Sequence, residues 1–224
     1  MRQRTAILIS GRGSNMQALV RAAADPGYPA EIALVLSNRA EAPGLARAAE
    51  AGIPTEVVAH KSMTREAHEE AIDAVLRRHE IALVCLAGYL RILSPVLVRH
   101  WRGRMLNIHP SLLPAFPGLE THARALAAGV KLHGSTVHLV SETLDDGPIL
   151  AQAAVPVLAG DTPETLAARV LAQEHLIYPL ALGLLAGGRA AAPAAGAALL
   201  NPLPGTLDPL PGRLGPLQGA GPGS

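Results

Sequence analysis

The sequence predicts an α/β protein: a Rossmann-like, mostly parallel twisted sheet with helices on both faces and an antiparallel strand pair on its C-terminal side. Three observations predict it. Short aliphatic runs alternate with amphipathic helical segments, the pattern of repeated β-α-β crossovers. The runs are apolar almost throughout, as strands covered on both faces must be. Beyond His109 the alternation stops, and two strand-like runs follow one another with only a turn between them.

Residues 5–9, 32–36, 55–59, 81–86 and 105–108 read as the parallel strands. Between them Met16, Leu19, Val20 and Ala23 fall at helical spacing, and so do Ile72, Val75, Leu76 and His79 in a segment starting near Thr64. Residues 136–140 and 149–157 flank the turn-rich Asp145-Asp146-Gly147-Pro148, which leaves no room for a helix, so that pair should be antiparallel. A last helix begins near Asp161-Thr162-Pro163-Glu164, which offers a capping side chain, an early proline and a first-turn carboxylate. It runs to about residue 185 and stops at Gly187-Gly188. Residues 1–188 thus make one domain. Residues 189–224, dominated by Ala, Pro, Gly and Leu without periodicity, are expected to form a poorly ordered tail with no catalytic duty.

Composition narrows the function. The 224 residues carry a formal net charge of +1, and no stretch gathers Lys and Arg into a block that could neutralise a run of phosphates, which argues against nucleic acid as partner. No apolar run is long enough to span a bilayer, and the N-terminus enters a strand too soon to hold a signal peptide, so a cytoplasmic protein without a membrane partner is expected. The single cysteine, Cys85, lies inside an aliphatic run and reads as a small buried hydrophobe rather than a reactive thiol.

Three segments carry chemistry. Ser10-Gly11-Arg12-Gly13-Ser14-Asn15 joins the first strand to the first helix. A glycine turn opening a helix offers free backbone N–H groups and a positive dipole to an anion, beyond the carboxyl end of a parallel strand where ligands of such sheets bind. The third glycine of a dinucleotide fingerprint is missing, as is the Gly-Lys-Ser/Thr ending of a nucleotide loop, so one monophosphate fits best. The plain alternative is a tight turn with Ser14 or Asn15 as helix cap.

Asn107-Ile108-His109-Pro110 ends the fifth strand, and alternation puts Asn107 and His109 on one side of it. An amide donor beside an imidazole suits acyl transfer, one stabilising an oxyanion and the other able to donate or move a proton near neutral pH. The third segment is Leu144-Asp145-Asp146-Gly147-Pro148. A carboxylate brought to His109 would favour its charged form, and Asp145 is the residue chosen for that part, although Asp and Gly also simply shape turns.

Together SGRGSN, AGYLRILSP, NIHPSLLP, HGSTVHLV, LDDGPILAQ and AQEHLIYP resemble, in this order and spacing, the glycinamide ribonucleotide transformylase family over roughly the first 190 residues. The resemblance implies transfer of a formyl group from 10-formyltetrahydrofolate to the amine of glycinamide ribonucleotide, with no metal and no covalent acyl-enzyme. It implies that Gly13, Ser14 and Asn15 cradle the substrate phosphate, and that Glu174 contacts the ribose; by pattern alone Glu174 would pass as helix surface. Tyr89-Leu90-Arg91-Ile92-Leu93 is similar to the family's folate segment, with Leu90 where methionine is common. Arg65 matches an arginine near the folate's glutamate portion, and by pattern alone it is an exposed first-turn arginine. Asn107, His109 and Asp145 match the catalytic trio, with Asn107 also beside the folate. The resemblance further implies that Asn107 and protonated His109 stabilise the oxyanion while Asp145 holds and charges the histidine.

Two positions depart from the family: Glu120 stands where members carry histidine, and Asp146 replaces a frequent glycine. Related folate enzymes share the trio. The tRNA-formylating transferase is expected to need a further basic domain and an Arg-Gly after its Ser-Leu-Leu-Pro stretch, where this chain has Ala115-Phe116-Pro117-Gly118. The formyltetrahydrofolate hydrolase is expected to carry an N-terminal regulatory domain, whereas the first strand here starts almost at residue 1. A noncatalytic phosphoribosyl-binding module would use the glycine loop but leave the trio unexplained. Because every residue singled out precedes the tail, a chain lacking residues 189–224 is predicted to keep its activity. Inactivity or aggregation of the truncated chain would show that the tail packs on the core.

Overall fold

The structure, a computed structural model, describes residues 1–61 and 63–188, and the backbone of 198–199. The strands are β1 (Gln3–Ile9), β2 (Ala30–Ser37), β3 (Thr55–Val57), β4 (Leu83–Leu86), β5 (Met105–His109), β6 (Leu132–Leu139), β7 (Ile149–Pro156) and the two-residue β8 (Ala198–Leu199). The helices are α1 (Ser14–Ala23), α2 (Pro43–Glu50), α3 (Arg65–Arg78), α4 (Pro95–His100), α5 (Thr121–Ala127) and α6 (Pro163–Ala186). The sheet order is β3-β2-β1-β4-β5-β6-β7-β8. Strands β3 to β5 are parallel, β6 runs against both β5 and β7, and β8 lies parallel to β7.

The mostly parallel sheet and the antiparallel β6–β7 pair are as expected, and the β5–β6 pairing extends the antiparallel region by one more strand. Strand β6 starts at Leu132, four residues earlier than the sequence pattern indicated, because His133 and Gly134 still pair with β7. Gly134 is required there: a Cβ would lie 2.0 Å from the Ala153 carbonyl oxygen. Strand β3 is shorter than expected, and three helices, α2, α4 and α5, lie in segments the sequence left unassigned. They span 8, 6 and 7 residues, too few for a helical period to show. The expected tail falls outside the described residues, except that Ala198 and Leu199 pair with Ala151 and Gln152 on the edge of β7.

Alternation along β1 builds two cores. Ile7 and Ile9 point to one face, with Met16 and Leu19 of α1 and Ile177, Tyr178 and Leu182 of α6. Ala6 and Leu8 point to the other, with Ile72 and Leu76 of α3, Leu97 of α4 and Trp101 at its C-terminal end. Cys85 is fully buried in the first core, and burial pushes its thiol up to about 12, so it is the inert hydrophobe the sequence indicated. The α6 start is as read: Thr162 caps, Pro163 follows, and the box is closed by Thr165. No helix among the described residues is long and apolar enough to cross a membrane.

This arrangement places the site. The strand order reverses between β1 and β4, and it is beyond the carboxyl ends of strands at such a reversal that a crevice for ligands forms in open α/β sheets. The loop leaving β1 is the glycine turn and the loop leaving β4 is residues 87–94. Leu106, fully buried in β5 beside that crevice, is predicted to cost about 2–5 kcal/mol when replaced by Ala, read from denaturant unfolding. A change below about 1 kcal/mol would show that β5 is not a central core strand.

Candidate active site

Asn107 and His109 project from the same side of β5, and the cross-strand register sets His138 opposite Asn107 and Thr136 opposite His109. His109 is 5% exposed. Its Nδ1 lies 3.3 Å from Asp145 Oδ2, with that carboxylate side chain 6% exposed, and its Nε2 lies 3.0 Å from the Phe116 carbonyl. Both ring nitrogens thus face oxygen acceptors. Asp145 Oδ2 also accepts from the Gly118 N–H at 2.9 Å. The structure therefore joins all three residues of the expected trio, from one strand and a loop 36 positions along the chain.

Asp145 reaches this place through an uncommon backbone: its φ is 53°, in the left-handed region. The turn that imposes it packs so closely that a Cβ on Gly147 would sit 1.7 Å from the Leu139 carbonyl oxygen. Aspartate tolerates this conformation in turns, and here it carries the carboxylate to His109.

His138 is a site residue that the sequence reading missed. Its Nδ1 faces the Leu139 carbonyl at 3.0 Å, which assigns the proton to that nitrogen and leaves Nε2 to accept from Asn107 Nδ2 at 3.2 Å. Burial lowers the basicity of His138, in keeping with a neutral ring. The amide of Asn107 is thereby turned with its NH₂ group fixed and one N–H left over. Position 138 in HGSTVHLV could have been found only through the β5–β6 register, which the residue pattern does not reveal.

The glycine loop lies where expected, and the cap alternative fails. The N-cap of α1 is Gly13, left-handed at φ 70°, and no side chain caps the helix. Asn15 instead donates from Nδ2 to Glu174 Oε2 at 2.6 Å, tying the loop to α6. Glu174 is 7% exposed, which corrects the surface reading of that position; burial raises its pKa, and the Asn15 hydrogen bond opposes that shift. The periodicity of α6 hides this, because residues facing the sheet and the loop leave little polar face.

The 87–94 loop runs alongside. Leu90 and Ile92 are 72% and 67% exposed, unusual for large aliphatic side chains, whereas Tyr89 is buried and Leu93 packs on the second core. The Leu90 N–H is held by Ser10 Oγ at 2.9 Å, and the side chain of Arg91 is half-buried. Arg65 opens α3, with its Nε 3.4 Å from Glu69 Oε1, and Glu69 accepts from Ser94 N–H at 2.7 Å and from the Ser94 hydroxyl. One carboxylate therefore links Arg65 to the end of this loop. A separate cleft, lined by Tyr28, Pro179 and Gly183, opens beyond the amino end of β2, away from all these groups.

Two more histidines back the site. The rings of His122 and His133 meet edge-on at 5.2 Å between centroids, and Phe116 packs on His133 at 5.9 Å. Neither ring nitrogen of His133 has a hydrogen-bond partner among the described residues, and burial, with His122 nearby, pushes its pKa from the ordinary 6.5 down to about 4. Glu120, the position noted as departing from the family pattern, is an N-cap residue at φ 55° and makes no side-chain cap.

The chain matches the formyl transferase family over residues 3–182. It is 47% identical to the phosphoribosylglycinamide formyltransferase of Escherichia coli (strain K12), covering 82% of this chain and 87% of that one. It is 53% identical to the trifunctional purine biosynthetic protein adenosine-3 of Bos taurus over 83% of this chain and 18% of that protein; against the trifunctional relatives generally it spans only a small part of their length. The crystal structure of phosphoribosylglycinamide formyltransferase from Brucella melitensis superposes with a TM-score of 0.81 at 61% identity, covering 84% of this chain and 97% of that one.

The depressed pKa of His133 has a stability consequence. Between pH 6.5 and about 4 the unfolded chain binds a proton on this histidine that the fold refuses, so stability present above pH 6.5 falls as pH drops through that window. His133→Gln is predicted to flatten this part of the stability profile in denaturant unfolding at pH 7 and pH 5. An unchanged slope would show that the ring does not titrate as its surroundings require.

Proposed function

Since the chain belongs to the formyl transferase family, we propose that it transfers the formyl group of 10-formyltetrahydrofolate to the amine of glycinamide ribonucleotide, giving formylglycinamide ribonucleotide in purine biosynthesis. The observation that carries the proposal is the contact of His109 with Asp145, beside Asn107, at the carboxyl end of β5 and next to a helix-opening loop suited to a phosphate. The relatives named as phosphoribosylglycinamide formyltransferases support the choice of acceptor.

The residues present fit both substrates. Gly13, Ser14 and Asn15 offer backbone donors to the phosphate, and Glu174 stands behind Asn15 where a ribose hydroxyl would follow. Exposed Leu90 and Ile92, with main-chain groups of residues 90–93, including Arg91 and Leu93, and the half-exposed Asn107, suit a flat heterocycle that is apolar on its faces and polar at its edge. Arg65 suits a carboxylate at the far end of such a ligand. The folate supplies the formyl group at the level of activation that an amine can attack. No metal enters the reaction, and a cytoplasmic setting is part of the proposal.

As the acceptor nitrogen attacks the formyl carbon, negative charge builds on the formyl oxygen. Asn107 donates its remaining N–H to that oxygen, in the orientation His138 imposes. His109 donates from Nε2, with Nδ1 held by Asp145; the Phe116 carbonyl, which takes Nε2 in this structure, yields it to the substrate. The proton leaving the attacking amine then passes to the departing folate nitrogen through His109 or an ordered water.

Purified chain with glycinamide ribonucleotide and 10-formyltetrahydrofolate should give one formylated product per donor consumed. Release of formate with no dependence on the ribonucleotide would identify a hydrolase instead. His109→Ala is predicted to lower kcat by about 10²- to 10⁴-fold with substrate binding largely kept. Unchanged turnover would remove His109 from the reaction.

A further inference from the structure

Helix α2 (Pro43–Glu50), which no motif marked, lies against the outer side of the glycine loop through two contacts. The Gly44 N–H donates to the Gly11 carbonyl at 3.1 Å, and Arg47 Nη1 donates to the Arg12 carbonyl at 2.7 Å. In a trans peptide the carbonyl and the following N–H share a plane and point in opposite directions. Both peptides here are trans. Fixing the carbonyls of Gly11 and Arg12 on α2 therefore aims the N–H groups of Arg12 and Gly13 away from it.

Those two donors adjoin the first N–H groups of α1, on Ser14 and Asn15. None of the four has an acceptor among the described residues, and the helical ladder begins only with Gln17 N–H to the Gly13 carbonyl at 3.0 Å. Such amides can be met by water or by one anion, and free peptide planes would be able to turn them in different directions. Helix α2 takes up the carbonyls that would rotate in such a turn.

The contact depends on glycine at both ends. A Cβ on buried Gly44 would lie 2.5 Å from Ile9 Cδ1 and 3.0 Å from the Gly11 carbonyl oxygen. A Cβ on Gly13, besides straining its φ of 70°, would lie 3.3 Å from Gly44 Cα. Neither helix nor loop can carry a side chain at the point of approach without pushing the other away.

We propose that Gly44 and Arg47 are positioning residues for the acceptor's phosphate: without touching it, they hold the loop in the backbone arrangement in which successive amides face one anion. The proposal rests on the reading of this loop as the phosphate site. It assigns to α2 a specificity for phosphorylated over unphosphorylated acceptors.

The test compares KM for glycinamide ribonucleotide with KM for the ribonucleoside lacking the 5′-phosphate, in wild type, Arg47→Ala, Gly44→Ala and Gly13→Ala. Arg47→Ala should raise the ribonucleotide KM about 3- to 10-fold relative to the ribonucleoside KM, the loss expected for one charge-assisted hydrogen bond. Gly44→Ala should raise the same ratio about tenfold or more while keeping the Arg47 charge, which separates positioning from simple attraction. If Gly44→Ala does not fold, Arg47→Lys, which keeps the charge but not the guanidinium geometry, is read beside Arg47→Ala: a ratio raised by both supports positioning, and a ratio raised by Arg47→Ala alone overturns it in favour of attraction. A ratio altered by Gly13→Ala but by neither α2 variant overturns the bracing role and leaves the phosphate reading standing. A ratio altered by none of the three overturns the phosphate reading and the proposal with it.

Discussion

A carboxylate taken out of water must find donors, and Asp145 finds its two on different segments: the Gly118 N–H and the ring of His109. That one buried group ties together the end of β5, the loop before α5 and the turn between β6 and β7. The cost is visible in the backbone, since Asp145 is left-handed and Gly147 admits no side chain. Both are features that turns admit, and here they set the carboxylate against the ring. The carboxylate adds to the strand ladders and to the His109 contact with the Phe116 carbonyl, so the ring is fixed from both of its nitrogens.

A second buried carboxylate organises the other half of the crevice. Glu174 meets Asn15, and through it the long helix α6 is fastened to the loop that opens α1. Between the two carboxylates run the carboxyl ends of β1, β4 and β5, where the strand order reverses. In the proposed function an acceptor with a phosphate at one end and an amine at the other would lie across this interval, its anion toward the backbone donors and its nucleophile toward Asn107 and His109. Leu90 and Ile92 stand exposed on the loop after β4, where the proposed function sets the donor.

Much of this was legible in the residues. Continuous apolar runs gave the parallel strands because both sheet faces are covered, and Asn107 and His109 were placed on one side by the two-residue period alone. The turn at Asp145 was visible, but its partner was not, because local sequence holds no record of which distant side chain a turn residue meets; resemblance to a family supplied that link. His138 stayed hidden since its meaning depends on the β5–β6 register. Glu174 looked like helix surface because α6 is apolar nearly all round, so a buried carboxylate on it has no contrasting face to stand out from. Helices α2 and α4, each opened by a proline and only a few residues long, were too short to show a period, and α2 proves to bear on the site.

The most direct test of the central claim is a crystal structure of the chain with glycinamide ribonucleotide and a folate analogue that cannot release its one-carbon group. The account predicts the phosphate on the amides of Gly13, Ser14 and Asn15, and the carbonyl-equivalent oxygen about 3 Å from both Asn107 Nδ2 and the His109 ring, with Asp145 still on the far nitrogen. A reacting carbon held away from Asn107 and His109, or a phosphate bound elsewhere than on the loop before α1, would contradict it.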